Sequence, residues 1–327
     1  MTLSNSWARK RIFHISRYPD IRAKMEIIKY CKALSDETRA RLVNVLLEYE
    51  LNVGEIVQVM GMGQSRISRH LKILSDSGLV EVRRDGLWAF YRASESGNGR
   101  EFLDGVAPLM AGENALKRDR NVAVKVIRER TAATRQFFDD IAPDWDRMTA
   151  EVLGEIELGR EIQARLPRCA CAADLGCGPG DMLAILAASA DVVIGVDNSP
   201  KMLELAEERF SGDASMSLRI GELTHLPLRD WEADCAVMSL VLHHLPRPLD
   251  AIREAGRVLK TGGRLIIAEF ERHANELMRT EYGDRRLGIP SQKMLDWLDQ
   301  ARFNVTGVTK FTVNMGLVVV VYEAEKK

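Results

Sequence analysis

The sequence has few cysteines, almost no net charge and no long apolar run. Five cysteines in 327 residues are too few for a disulfide framework. Cys31 and Cys235 sit in apolar patterns and are expected to be small buried hydrophobes. Cys169 and Cys171 have no further partners at metal-ligand spacing, so neither zinc nor redox chemistry is expected of them. No apolar run approaches the ~20 residues that a membrane-spanning helix needs. The longest aliphatic run, residues 317–321, is strand-sized. Residues 1–11 are polar and then basic, without the apolar core of a secretory signal. A cytoplasmic protein with no membrane partner is expected. With 46% hydrophobic and 28% charged residues, the composition is that of a globular chain. Its length suits two domains, or three.

The net charge of −1 hides an asymmetry. Residues 1–92 carry 16 Lys and Arg against 10 Asp and Glu, a net of +6, which leaves −7 for the rest. A basic front and an acidic rear fit a polyanion-binding head on a different kind of body. A merely solvated basic face would give the same count, so motifs must decide.

Residues 27–34 read as a short helix, and Ser35-Asp36-Glu37-Thr38 as the start of another, backed by Leu42, Val43, Leu46 and Leu47. Residues 52–60 give a third apolar stripe through Val53, Ile56, Val57 and Met60, broken by Gly61-Met62-Gly63. In the helix that follows, Ile67, Leu71 and Leu74 share the inner face, while Gln64, Ser65, Ser68, Arg69 and Lys72 project outward. Two short helices around a glycine turn make a helix-turn-helix pattern. Gly78 closes the second. Two β-rich runs around Asp85-Gly86 then read as a hairpin, with Arg83 and Arg84 near its tip. Gln and Arg can read adenine and guanine in the major groove, whereas Ser and Lys mostly hold phosphates. Arg83 and Arg84 suit phosphate or minor-groove contacts.

Residues 33–39, Gln64 to Lys72, residues 77–80 and residues 83–86 together resemble the ArsR/SmtB winged-helix family, over roughly residues 25–92. The resemblance implies an α+β winged helix-turn-helix domain, a homodimer, and repression through an inverted-repeat double-stranded DNA operator. Half-sites would lie about 34 Å apart. Family members that sense soft metals carry two cysteines before the recognition helix. Here Asn52 and Gly54 stand at those positions, and neither is a thiophilic ligand. The inducer is therefore expected to be something other than a thiophilic metal, and no metal partner is expected.

Residues 94–99 are polar and glycine-rich and read as a boundary. Residues 113–138 read as a long amphipathic helix with Leu116, Val122, Val126 and Ile127 interleaved. The helix could be a spacer, a dimerisation element or a lever. The expected domains are residues 1–95 (winged helix-turn-helix), 96–130 (linker or dimerisation helix) and 131–327.

In the rear part an apolar approach leads to Asp174 and then to Gly176, Gly178 and Gly180, with a helix over residues 182–188. Glycines after a strand let the backbone turn tightly and approach a ligand. The spacing is G-x-G-x-G rather than G-x-G-x-x-G, and no Gly-Lys-Ser/Thr follows as a P-loop requires. A second buried strand ends in Asp197, suited to ribose hydroxyls. Ser199-Pro200 starts the next helix. Glu222 could meet an adenine amino group. Residues 234–239 read as a further strand, and residues 264–269 as another, after a Thr261-Gly262-Gly263 turn. Strands alternating with helices imply a parallel, doubly wound α/β sheet.

This series resembles the class I S-adenosylmethionine-dependent methyltransferases, over roughly residues 131–327. The resemblance implies a Rossmann-like seven-stranded sheet with an antiparallel last strand near residues 317–322. It also implies S-adenosylmethionine or S-adenosylhomocysteine as the ligand. Asp174 and Gly176, Gly178 and Gly180 would then meet the amino acid part, Asp197 the ribose, and Met202 the adenine face. Glu222 and the Leu223 backbone would read the adenine edge. Ser239 and Leu240 would line the sulfur side, and Trp145 would cover the ligand as part of an N-terminal lid.

Alignment of an acceptor against a reactive sulfonium supplies much of a methyl-transfer rate, so a missing base does not exclude catalysis. His243 and His244 are the candidates to deprotonate an acceptor, although no partner carboxylate is identifiable. They are consecutive, with no further spaced His or Cys, which makes them poor joint ligands for a metal. The leading expectation is a repressor whose rear domain senses the adenosyl ligand. ArsR-type chains carrying such a domain resemble regulators of the methionine and S-adenosylhomocysteine cycle. The alternatives are a small-molecule methyltransferase with a regulatory head and, last, a nucleic-acid methyltransferase, for which no Asn/Asp-Pro-Pro-aromatic motif is present. Arg69→Ala is expected to weaken specific duplex binding by about 1–3 kcal/mol if Arg69 contacts a base. Fluorescence anisotropy against a selected and a scrambled duplex checks this, and an unchanged ratio rejects the contact.

Overall fold

The computed structural model describes residues 25–327; the basic stretch within residues 1–11 lies outside them. Contacts divide the chain into two units. One holds residues up to Val82 together with Tyr91–Arg120, and the other holds Arg83–Phe90 with Asn121–Lys327.

The first unit opens with helices α1 (Glu26–Leu34) and α2 (Glu37–Leu46). Asp36 caps α2 by accepting from the Arg39 N–H at 3.1 Å. Strand β1 (Leu51–Asn52) leads into α3 (Val53–Met60). Asn52 closes a capping box there: its Oδ1 accepts from Glu55 N at 2.9 Å, and Glu55 Oε2 accepts from Asn52 N at 2.8 Å. The residue that stands where soft-metal sensors carry a thiolate thus has a helix-starting job. Gly61 ends α3 in the left-handed region at φ 61°, a conformation most side chains resist. Helix α4 (Gln64–Ser77) buries Ile67, Leu71 and Leu74 completely, as its spacing predicts. Strands β2 (Val80–Asp85) and β3 (Trp88–Ala93) form the expected hairpin, but its turn falls on Gly86-Leu87, one residue later than expected. The sheet order is β1-β3-β2.

Residues 94–99, read as a boundary, run into a helix: Gly97 begins α5 (Gly97–Met110), and Gly99 lies where a Cβ would stand 2.4 Å from the Gly78 carbonyl oxygen. Its glycine serves close packing of backbone on backbone rather than chain flexibility. Cys31 is exposed on α1, not buried, whereas Cys235 is buried as expected. Helix α6 (Asn114–Ile141) is longer than residues 113–138 and buries Leu116, Ala123 and Val126. At its start, Asp119 takes both Arg41 donors at 2.7 and 2.8 Å, and Asn44 Nδ2 donates to Leu116 O at 3.1 Å.

The second unit continues through α7 (Trp145–Leu153) and α8 (Leu158–Gln163) into a doubly wound sheet. Its strands are β4 (Cys169–Leu175), β5 (Ala190–Asp197), β6 (Met216–Ile220), β7 (Ala233–Ser239), β8 (Leu259–Phe270), β9 (Phe303–Thr312) and β10 (Val318–Lys326). The order is β6-β5-β4-β7-β8-β10-β9. The first five strands pair in parallel, and β10 runs antiparallel to both β8 and β9. Helices α9 (Asp181–Ala187), α10 (Pro200–Arg209), α11 (Pro248–Val258), α12 (Leu277–Thr280) and α13 (Ser291–Gln300) complete the unit. Alternation along the strands divides the core. Ala236 and Met238 join one cluster with Ile252, Met294 and Leu298, while Cys235 and Val237 join the other with Ile162, Leu183 and Leu186. Strands covered on both faces read as near-continuous apolar runs, which is why β4, β5 and β7 are legible in sequence.

The expected turn at Thr261-Gly262-Gly263 is instead part of β8, which runs unbroken from Leu259 to Phe270. The register against β7 slips between Ala233 and Cys235, and Gly262 has φ 73°, so the glycines form a bulge. No helix among the described residues is long and apolar enough to cross a membrane. Asn52→Ala should destabilise α3 by about 1 kcal/mol. Amide hydrogen exchange over residues 53–60 should then speed up roughly fivefold, and unchanged protection would contradict the capping role.

Candidate functional site

Strand β4 lies between β5 and β7, where the strand order reverses. In such sheets a crevice opens beyond the carboxyl ends of the strands at that point. Asp174, near the end of β4, is 1% exposed, and neither carboxylate oxygen has a hydrogen-bond partner among the described residues. Burial first, then the neighbouring Asp197 and Asp181, push its carboxyl up to about 8. The loop beyond it requires glycine at two points. Gly176 has φ 89°, with a Cβ position 2.6 Å from Val241 Cγ2; Gly180 has φ 95°, with one 2.7 Å from Phe210 Cε2. Gly178 is held differently: its N–H donates to Asp197 Oδ2 at 2.9 Å. Asp197 Oδ1 accepts from Ser199 N at 2.9 Å, and Ser199 in turn caps α10 through Met202 N at 3.1 Å. Asp197 therefore ties the end of β5 to the glycine loop. Burial raises its pKa, and the N–H donors of Ser199, Gly178 and Asn198 oppose that rise.

A cavity of about 180 Å³ opens here, and Asp174, Gly176, Ser239, Leu240 and Trp145 all line it. Leu240 sits at φ 52°, a region sparsely populated by side-chain-bearing residues and enriched at functional sites. Nothing in the sequence signals that strain. Trp145 Nε1 donates to Asp181 Oδ2 at 3.0 Å, and Arg209 pairs with Asp181 at 2.7 Å. The rest of the wall is largely apolar, from Phe138, Met148, Val152, Leu153 and Met278. Gly178, Gly180, Asp197, Met202, Glu222 and Leu223 stand outside this cavity. Met202 and Leu223 are buried, and Glu222 accepts from Asn198 Nδ2 at 3.3 Å.

His243 and His244 reach the same cavity and differ sharply. His243 is buried with Nδ1 2.6 Å from Glu269 Oε1 and Nε2 3.3 Å from Asp284 Oδ1. Burial opposes its charge, but Glu269 and Asp284 outweigh burial and hold the imidazole pKa up to about 10. Burial and the adjacent His243 charge push His244 well below the usual histidine value. His244 Nδ1 lies 3.2 Å from the Gly283 carbonyl oxygen, so a neutral ring donates there from Nδ1. These shifts favour the neutral form of His244 and the charged form of His243. The missing partner carboxylate thus exists twice. Glu269 could have been suspected as an acid ending an apolar strand, as Asp174 and Asp197 do; Asp284 lies in a loop with no such signal.

In the first unit Gln64, Ser65, Ser68, Arg69 and Lys72 are all exposed along α4. Lys72 pairs with Asp76 one turn on, at 3.0 Å. Arg84 is exposed, whereas Arg83 pairs with Asp85 and lies 4.3 Å over the Phe90 ring. Within the second unit, buried Asp85 uses Oδ1 to accept from Arg279 Nη2 and from Leu287 N, both at 3.0 Å.

A folded carboxyl whose pKa exceeds its unfolded value disfavours the folded state once the unfolded chain ionises. The Asp174 penalty is therefore absent below about pH 4, grows as pH rises towards about 8, and is then constant. Asp174→Asn should raise the melting temperature at pH 8 relative to the parent, with the difference shrinking towards pH 4. Thermal melts at both pH values check this; an equal offset at both contradicts it.

The profile described as "Bacterial regulatory protein, arsR family" matches residues 36–82, and the profile described as "Methyltransferase domain" matches residues 173–267. The chain is 43% identical over 101 residues to an "Uncharacterized 37.1 kDa protein in transposon TN4556" of Streptomyces fradiae, covering 30% of this chain and 29% of that protein. It is 33% identical over 150 residues to a "Demethylmenaquinone methyltransferase" of Clavibacter sepedonicus, covering 45% of this chain and 61% of that one. The chain thus spans less than two thirds of either relative's length. The solved structure of the "[4+2]-Cyclase SpnF" superposes with a TM-score of 0.50 at 17% identity, over 58% of this chain and 94% of that one. That likeness carries the fold alone, a Rossmann-like doubly wound sheet. Residues 36–82 are thus similar to an arsR-family helix-turn-helix domain, and residues 173–267 to a methyltransferase domain.

Proposed function

We propose that the protein is a DNA-binding transcriptional repressor whose methyltransferase-like domain binds S-adenosylhomocysteine or S-adenosylmethionine and thereby controls operator binding. The observation that carries this reading is Asp174, a buried carboxylate with both oxygens unpartnered beside a glycine loop, on a chain that also has a regulatory DNA-binding domain. A cationic ammonium on the ligand's amino acid part suits that carboxylate. Gly176, Gly178 and Gly180 admit the ligand backbone, and Asp197 has lone pairs left for ribose hydroxyls. Met202, Glu222 and Leu223 would hold adenine, and Ser239 and Leu240 would face sulfur. When S-adenosylmethionine is the bound form, it supplies a sulfonium methyl.

The two ligands differ by one methyl and one positive charge. A ligand shifts an equilibrium only by its differential affinity for the two states, so the sulfur side must distinguish them. The turn Arg83–Phe90 belongs to the second unit through Asp85, Arg279 and Leu287. Leu287 follows Asp284, a cavity-lining residue, by three positions. That short stretch links the cavity to the turn residues Arg83–Phe90 within the second unit. A homodimer on an inverted repeat, controlling genes of the methionine and S-adenosylmethionine cycle, completes the proposal.

A second reading has its own support. The apolar cavity wall and the neutral His244 suit an apolar acceptor with an ionisable hydroxyl, and the relative from Clavibacter sepedonicus carries a methyltransferase name. The two readings part on one experiment. Duplexes enriched from a random library are titrated with protein, with each nucleoside added separately. The sensor reading expects one nucleoside to change the affinity at least tenfold, with no turnover of labelled S-adenosylmethionine. Affinity indifferent to both, with turnover on an apolar hydroxylated acceptor, favours the enzyme. Asp197→Ala should weaken nucleoside binding at least tenfold in calorimetry while leaving circular dichroism unchanged; equal affinity would refute its ribose role.

A further inference from the structure

The sequence gives His243 and His244 no third metal ligand, but the fold brings Asp284 to them. One ligand atom from each of the three lies within 4.8 Å of the others. We infer that His243, His244 and Asp284 form a binding site for a divalent transition metal, with Zn2+ as its reference occupant. This goes beyond the adenosyl-ligand reading and does not depend on it.

Three features of the cluster support a site rather than an ordinary ion pair. A tetrahedral zinc with bonds of ~2.0–2.1 Å sets its ligand atoms about 3.3–3.4 Å apart. His243 Nε2 and Asp284 Oδ1 stand at 3.3 Å. Next, Asp284 is 3% exposed and lines the cavity, yet its Oδ2 has no hydrogen-bond partner. The pairing with His243 therefore leaves half of a buried carboxylate unused, an arrangement that a cation would repair. Finally, the outer partners are in place. Glu269 Oε1 takes His243 Nδ1 at 2.6 Å, which leaves Nε2 as the ligand atom, and the Gly283 carbonyl at 3.2 Å orients the His244 ring. A carboxylate or carbonyl behind each imidazole is the usual support of a metal-bound histidine.

Two imidazoles and one carboxylate suit Zn2+ and its first-row neighbours rather than Mg2+ or Ca2+. On binding, the cation takes the place of the proton between His243 Nε2 and Asp284, and that proton leaves to solvent. Three protein ligands leave a fourth position towards the cavity, open to water or to a heteroatom of a bound molecule.

The full-length protein, stripped with a chelator and dialysed, is titrated with Zn2+ by calorimetry and with Co2+ by visible absorption. The inference expects one ion per chain and a Co2+ spectrum of nitrogen and oxygen ligation. Asp284→Asn and His244→Ala should each weaken binding at least tenfold, with unchanged circular dichroism. His244 is only half-buried, so His244→Ala keeps the test decisive should Asp284→Asn not fold. No stoichiometric binding, binding unchanged in the folded variants, or a thiolate-to-cobalt charge-transfer band pointing to Cys169, Cys171 or Cys235 would each overturn it.

Discussion

The second unit is organised around a carboxylate that the fold buries and leaves unpaired. Asp174 costs stability where it stands: it is enclosed at the end of β4, and both of its oxygens lack donors. The neighbouring acids Asp197 and Asp181 add to the cost. A chain tolerates such a group when a ligand supplies what the protein omits. The surrounding geometry agrees. Glycines at positions 176 and 180 cannot be replaced without striking Val241 or Phe210, and Asp197 fixes Gly178 by a backbone hydrogen bond. The loop is thus fixed by close packing at Gly176 and Gly180 and by one hydrogen bond at Gly178.

The same crevice has a second, more heavily charged wall. His243 is locked between Glu269 and Asp284, while His244 beside it is kept neutral. One ring is thus held towards its charged form and the other towards its neutral form. Apolar side chains from α6 and α7 face both. A sensor and an enzyme would share most of this equipment, because both must bind an adenosyl ligand and distinguish the state of its sulfur. The front domain, rather than the cavity, tilts the proposal towards regulation.

Much of this was legible in the sequence where the signal is local. The α4 stripe of Ile67, Leu71 and Leu74 repeats at helical spacing, and β4, β5 and β7 are apolar runs with Asp174, Asp197 and Ser239 at or next to their ends. What escaped was set by distant neighbours. Glycines at 97 and 99 look like a linker until Gly78 is seen packed against Gly99. Gly262 and Gly263 look like a turn but form a bulge, since β7 continues to pair across them. Cys31 sits in an apolar pattern yet faces outward on α1. The carboxylates around His243 come from residues 26 and 41 positions away, and only folding brings them together.

The most direct test of the central claim is calorimetry of S-adenosylhomocysteine binding across pH 6 to 9, in buffers of different ionisation enthalpy. If Asp174 is the anchor, an ammonium beside it stabilises the ionised carboxyl. Binding below about pH 8 should then release a proton from Asp174, and affinity should rise with pH until that point. Asp174→Asn should abolish both effects. Affinity that is flat with pH in the parent protein, with no proton released, would contradict the account.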